Sequence, residues 1–156
     1  MPHQNINVKR TTWKDPDIMA LIQLLDADLH NRYGSLQKQY NPYNTMEAIE
    51  TFILVQCDNV PVGCGAYKQM DRETVEIKRM FVKPEFRGQG IASRLLAELE
   101  AWALDSGFNA SVLETGIKQT EAIGLYTKAG YVKIDNYGQY QNQPNSVCFK
   151  KILRKQ

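Results

Sequence analysis

Apolar positions along the chain repeat with two periods, and the period of each stretch predicts its element. Ile6 to Arg10 alternates apolar with polar and predicts a short first strand. Asp15-Pro16 reads as a cap residue with proline at the first helical position. Ile18, Leu21, Ile22, Leu25 and Leu29 then recur at helical spacing, which predicts a helix ending near Tyr33. Gly34 to Asn44 is polar and predicts a loop, and Thr45 is placed to cap a second short helix through Glu50. Thr51 to Cys57 and Val60 to Lys68 are apolar runs separated by Asp58-Asn59, the pattern of a hairpin. Thr74 to Lys83 alternates as a third long strand, and Pro84 ends it. From Gly88 a helical stripe runs through Ile91, Leu95, Leu99 and Ala103, with Gly107 as its stop. Ala110 to Thr115 is a strand of the buried type, Gln119 to Ala129 a helix, and Gly130 its stop. Tyr131 to Ile134 and Ser146 to Ile152 close the chain as strands, joined by the polar, tyrosine-bearing stretch Asp135 to Asn145. The order predicts one mixed α/β domain over residues 1–156.

Composition narrows the classes of function. With 43% hydrophobic and 23% charged residues, the chain has the make-up of an ordinary globular protein. The net charge of +2 is spread among both signs, without the clustered basic face that nucleic acid requires. Cys57, Cys64 and Cys148 are odd in number and far apart, and neither histidine lies near them. Buried, reduced thiols are therefore expected, with neither a disulfide framework nor a metal site. The N-terminal residues lack an apolar signal core, and no window approaches a membrane span, so a cytoplasmic protein is expected.

The chemistry concentrates in Arg87-Gly88-Gln89-Gly90-Ile91-Ala92, between the long strand and a helix. Glycines let the backbone approach a ligand without a Cβ in the way. The first amides of the helix have no internal acceptors, so the turn can cradle an anion such as a pyrophosphate. A dinucleotide fingerprint fits poorly: the turn lies past the middle of the chain, after three expected antiparallel strands.

The stretch resembles the acetyl-CoA signature of the GNAT superfamily, Arg or Gln followed by x-x-Gly-x-Gly/Ala, which Arg87, Gly90 and Ala92 fill. Val82-Lys83-Pro84 resembles the usual strand exit, and the whole order of elements agrees. The resemblance implies a mixed, mostly antiparallel central sheet flanked by helices, as in small stand-alone bacterial members. It implies that the amides of Arg87, Gly88, Gln89, Gly90, Ile91 and Ala92 hold the CoA pyrophosphate. Met80, Phe81 and Val82 would run beside the pantetheine arm, and a backbone amide near Phe81 or Val82 would stabilise the oxyanion.

Two side chains are candidates for acid–base work. In several members a glutamate six residues before the strand-end valine acts as general base, and Glu76 has that spacing to Val82. Burial would raise its pKa towards the working range of a base, whereas a solvated residue would pair with Lys78. Glu114 on the next strand is the reserve candidate, with a surface or capping carboxylate as its simpler reading. Ala122-Ile123-Gly124-Leu125-Tyr126 through Tyr131 resembles the second signature of the superfamily, in which the tyrosine is general acid towards the CoA sulfur. On that likeness Tyr126 is the acid; read alone, it is a core aromatic. Gln119 stands where many relatives have an asparagine that contacts the pantetheine. Tyr137 and Tyr140 fall in a loop that lines the acceptor pocket in this fold or pack locally, and Tyr33 and Tyr40 have the same two readings.

The resemblance thus implies acetyl transfer from acetyl-CoA to a small-molecule amine or amino acid by direct attack, without a metal. A protein lysine or N-terminus is the alternative acceptor, and a non-catalytic acyl-CoA-binding module the alternative class. Neither nucleic acid nor membrane is expected as a partner, and a homodimer is compatible with this reading.

Overall fold

The computed structural model describes residues 5–33 and 48–153. The strands are β1 (Ile6–Thr11), β2 (Phe52–Cys57), β3 (Val60–Gln69), β4 (Thr74–Val82), β5 (Ala110–Gly116), β6 (Val132–Ile134) and β7 (Ser146–Ile152). Three α-helices lie among the described residues: α1 (Pro16–Tyr33), α2 (Ile91–Asp105) and α3 (Thr120–Lys128). The seven strands form one mixed sheet in the order β1-β2-β3-β4-β5-β7-β6. The β4–β5 pair is parallel, so its connection needs a crossover, which α2 provides. The expected loop over residues 34–44, the side chains of Tyr33 and Tyr40, and most of the expected helix from Thr45 lie outside the described residues. Residues 48–50 of that stretch are described and are irregular.

Two compact units divide the chain: Met1–Ala66 with Arg79–Leu96, and Tyr67–Lys78 with Ala97–Gln156. In the first, the Asp15 carboxylate accepts the Asp17 amide at 2.9 Å, capping α1 as its sequence predicts. Ile18, Leu21, Ile22 and Leu25 of α1 are buried in one cluster with Phe52, Leu54, Cys64, Ala66 and Phe81. The β2–β3 turn places Asp58 at φ 50 and Asn59 at φ 69, the paired left-handed residues of a tight hairpin. Gly63 matters for packing: a Cβ there would meet the Phe81 carbonyl oxygen at 3.1 Å and the Leu95 side chain at 3.2 Å.

In the second unit, β5 pairs antiparallel with β7 over its whole length, and β7 pairs with β6. Tyr67 sits edge-on to Trp102 and Phe108, with ring centroids 5.8 and 6.1 Å away. Both helices of this region end on the expected glycine. Gly107 at φ +95 donates to the Leu104 carbonyl, and Phe108 to that of Ala103. Gly130 at φ +101 donates to Thr127, and Tyr131 to Tyr126, so both ends are Schellman motifs.

Candidate active site

The end of β4 and the turn after it belong to the first unit. Within β4, Arg79 has φ 61, a left-handed conformation that a non-glycine residue adopts at a cost. The Cys64 thiol donates to its carbonyl at 3.4 Å, and its buried guanidinium lies 3.4 Å from the Asp26 carboxylate. Past this kink Met80 is half-buried, while Phe81 and Val82 are buried. The Phe81 ring belongs to the core, so of the three residues it offers only its backbone to a ligand.

The strand exit is held firmly. The Lys83 amide donates to the Val62 carbonyl at 2.8 Å, and Pro84–Phe86 forms a single 3-10 turn. Arg87 is a strut of this turn: its amide donates to the Pro84 carbonyl at 3.2 Å and its Nε to the Val82 carbonyl at 2.8 Å. Its guanidinium also lies over the Phe81 ring and 3.9 Å from Asp28. The Arg87 amide is therefore engaged, and the amides left for a ligand begin at Gly88. Gly88 and Gly90 have φ +78 and +83, and among the described residues a Cβ on either would meet nothing within 4 Å beyond its chain neighbours. Gly88, Gln89 and Gly90 are exposed, and the first backbone bond of α2 runs from Arg94 to the Gly90 carbonyl. Among the described residues this leaves open space and unpaired amides at a helix N-terminus, which suit an anion such as a pyrophosphate.

The acid–base candidates lie in the second unit. The parallel register Glu76↔Val112 and the antiparallel register Glu114↔Cys148 put Glu76, Glu114 and Cys148 on one face of the sheet. Glu76 is buried, only 5% exposed, so the solvated reading fails. Its Oε2 accepts the Tyr137 hydroxyl at 2.8 Å. Glu114 Oε2 accepts the Ser146 hydroxyl at 2.7 Å. Burial, reinforced by the Glu76 charge, pushes Glu114 up to about 7, against the bond from Ser146 and the charge of Lys78. Glu114 is thus a half-buried group titrating near neutrality, and its surface reading is overturned. Among the described residues the β4–β5 ladder ends at Ile77↔Leu113, although β5 runs on to Gly116.

Tyr126 is buried near the C-terminus of α3, its carbonyl taken by the Tyr131 amide. Its ring lies 5.9 Å from that of Tyr131 and 6.5 Å from that of Phe149, so the core reading holds for the ring. Among the described residues no hydrogen bond to its hydroxyl is found. Burial, and then the charge of Glu114, raises its pKa. Such a phenol stays protonated and donates. Gln119 stands at the N-cap of α3 without a side-chain capping bond.

Residues 18–131 match the model of the acetyltransferase (GNAT) family. The chain belongs to the GNAT acetyltransferase family. This GNAT chain is 33% identical over 152 residues to a protein of Azospirillum brasilense named IAA acetyltransferase, covering 96% of the chain and 99% of the relative. A solved structure from Klebsiella pneumoniae, provisionally named an acyl-CoA N-acyltransferase, superposes with TM-score 0.80 at 33% identity, covering 96% of this chain and 98% of that one. A GNAT acetyltransferase from Elizabethkingia anophelis with acetyl-CoA bound has TM-score 0.69 at 23% identity, covering 95% and 98%. The GNAT chain is accordingly an acyltransferase, and acetyl-CoA fits it as cosubstrate.

Ser146 and Asn136 are polar contributors that the sequence did not single out. Ser146 reaches Glu114 through strand pairing, from 32 positions away. The Asn136 side chain donates to the carbonyls of Tyr140, Gln143 and Ser146, inside a loop whose polar composition reads as plain surface.

Proposed function

We propose that this GNAT chain transfers an acetyl group from acetyl-CoA to a primary amine of a small molecule or amino acid, by direct attack in a ternary complex. The chain acts as a single catalytic domain, with the backbone amides of Gly88 to Ala92 holding the pyrophosphate. Acetyl-CoA supplies the acetyl group activated as a thioester. Met80 to Val82 align the pantetheine arm, a reading supported by the end of the β4–β5 ladder at Ile77↔Leu113. A backbone amide at Phe81 or Val82 stabilises the charge that develops on the carbonyl oxygen.

Glu76 takes the proton of the amine, directly or through water, and Tyr126 donates its hydroxyl to the departing sulfur. The observation that carries the reading is the buried Glu76 carboxylate, on the strand that leads into the glycine turn, with one oxygen fixed by Tyr137. Direct attack is supported by the thiols. All three are free and buried, Cys57 raised by burial, Cys64 pushed up to about 12 and Cys148 to about 11. A thiol at those values is a poor nucleophile near neutral pH.

The test is release of CoA thiol from acetyl-CoA with a panel of small amines, amino acids, lysine-bearing peptides and IAA. The reading requires turnover with at least one small amine. Turnover confined to peptides would move the acceptor class, and tight acetyl-CoA binding with no turnover across the panel would contradict the enzyme reading.

A further inference from the structure

The loop between β6 and β7 is built around one side chain. Asn136 Nδ2 donates to the carbonyls of Tyr140 at 3.1 Å, Gln143 at 3.2 Å and Ser146 at 3.2 Å. Backbone bonds from Tyr140 to Tyr137 and from Gln143 to Tyr140 close its turns. Tyr140 is 2% exposed and meets the Tyr137 ring edge-on, with centroids 5.5 Å apart and planes at 89°. The Tyr137 ring thus packs against a buried neighbour, and its hydroxyl donates to Glu76 Oε2 at 2.8 Å. The bond joins a loop phenol to a buried carboxylate 61 positions away in the chain.

We propose that Tyr137 is a positioning residue for Glu76, and that Asn136 holds Tyr137 in place for that purpose. The inference rests on the reading of Glu76 as the general base. With Oε2 occupied by the phenol, Oε1 is the oxygen left to receive the proton of the amine. Burial and the Glu76 charge raise the Tyr137 pKa, so the phenol remains a donor throughout the working range. Among the described residues, Glu114 on β5 and Cys148 on β7 also feel this carboxylate, and Lys78, two positions along β4, acts on Glu114.

The sign of the effect follows from the bond. A donor to the charged carboxylate favours the charged form. Without it the proton is harder to remove, and the rising limb of log kcat/KM moves to higher pH. At a fixed pH below the limb the displacement reads as a loss of kcat/KM. The loss is recovered when the pH rises above the displaced limb.

The experiment measures pH–rate profiles, melting temperature and amine KM for the wild type, Tyr137→Phe, Asn136→Ala, Glu76→Gln and the Tyr137→Phe/Glu76→Gln pair, all in the full chain. Tyr137→Phe keeps the ring, so folding should survive, and Asn136→Ala keeps the hydroxyl while loosening its support. Both are expected to move the limb to higher pH at little-changed KM, and Tyr137→Phe to add nothing in the Glu76→Gln background. An unmoved limb in either variant, a change confined to KM, or an equal loss at every pH with a lower melting temperature would overturn the proposal. Wild-type turnover in Glu76→Gln would instead remove the base reading itself.

Discussion

Replacing Gly90 with valine separates backbone strain from the loss of ligand space. Gly90 has φ +83, and among the described residues nothing beyond its chain neighbours lies within 4 Å of an added Cβ. The Cβ of a branched side chain there meets strain but no close contact among the described residues. Strain of this kind costs roughly 1–2 kcal/mol. At roughly 2–4 °C per kcal/mol for a chain of this size, the melting temperature falls by about 2–8 °C. Acetyl-CoA at a hundred times its Kd adds about 2.7 kcal/mol, a rise of about 5–11 °C in the wild type. Gly107 provides the matched control. Its φ is +95, the space beside it is equally open, and it ends α2 far along the chain from the turn. Gly107→Val should lose similar stability yet keep the full acetyl-CoA shift, whereas Gly90→Val should lose the shift. Thermal scans with and without acetyl-CoA decide it, with NADH and ATP as nucleotides expected to leave the wild type unmoved. An undiminished acetyl-CoA shift in Gly90→Val refutes the cradle.

Three further outcomes follow from the same geometry. Tyr126→Phe keeps the packed ring, so acetyl-CoA affinity should hold while turnover falls about ten- to a thousandfold; unchanged turnover per folded molecule would contradict the acid role. Glu114 is raised from 4.5 to about 7, so the folded state keeps a proton that the unfolded state has released between those values. Its contribution, up to about 3 kcal/mol, is therefore gained as pH falls from 7 towards 4.5 and lost as pH rises. Urea unfolding across that window should show a slope in the wild type that Glu114→Gln flattens, and equal slopes would contradict the assignment. Gly63→Ala should cost about 1–3 kcal/mol by overpacking against the Phe81 carbonyl and Leu95, measured as a fall in denaturation midpoint; an unchanged midpoint would show that the neighbours yield freely.

Elements with local chemistry were legible before the structure. Asp58-Asn59, Asp15-Pro16 and the stops at Gly107 and Gly130 each carry their conformation in a few adjacent residues, and each holds that conformation. The glycine turn was legible for the same reason, because two glycines at a strand-to-helix junction signal the positive φ that Gly88 and Gly90 adopt. The kink at Arg79 was not. An arginine inside an alternating run gives no sign of a positive φ, and the alternation through Lys83 hides it. The grouping of Glu76 and Glu114 depends on long-range pairing, which no local pattern encodes. Ser146 reaches Glu114 only because β5 pairs with β7, and it is burial, working against the Ser146 bond, that pushes this carboxylate up to about 7. The Asp135–Asn145 stretch misleads through composition. Its polar residues include the asparagine that donates to two carbonyls of the stretch and to that of Ser146 in β7, and its Tyr140 is buried.

Direct transfer to an amine is the central claim, and intact-protein mass spectrometry tests it in one measurement. The full chain is mixed with acetyl-CoA, sampled before and after addition of an accepted amine, and followed for the mass of one acetyl group. With Cys57, Cys64 and Cys148 all buried and raised, the protein should carry no added acetyl at either time. The acetylated amine and free CoA should appear together, only after the amine is added. An acetyl group that loads onto the protein from acetyl-CoA alone, and leaves at the rate of turnover when the amine arrives, would contradict direct attack.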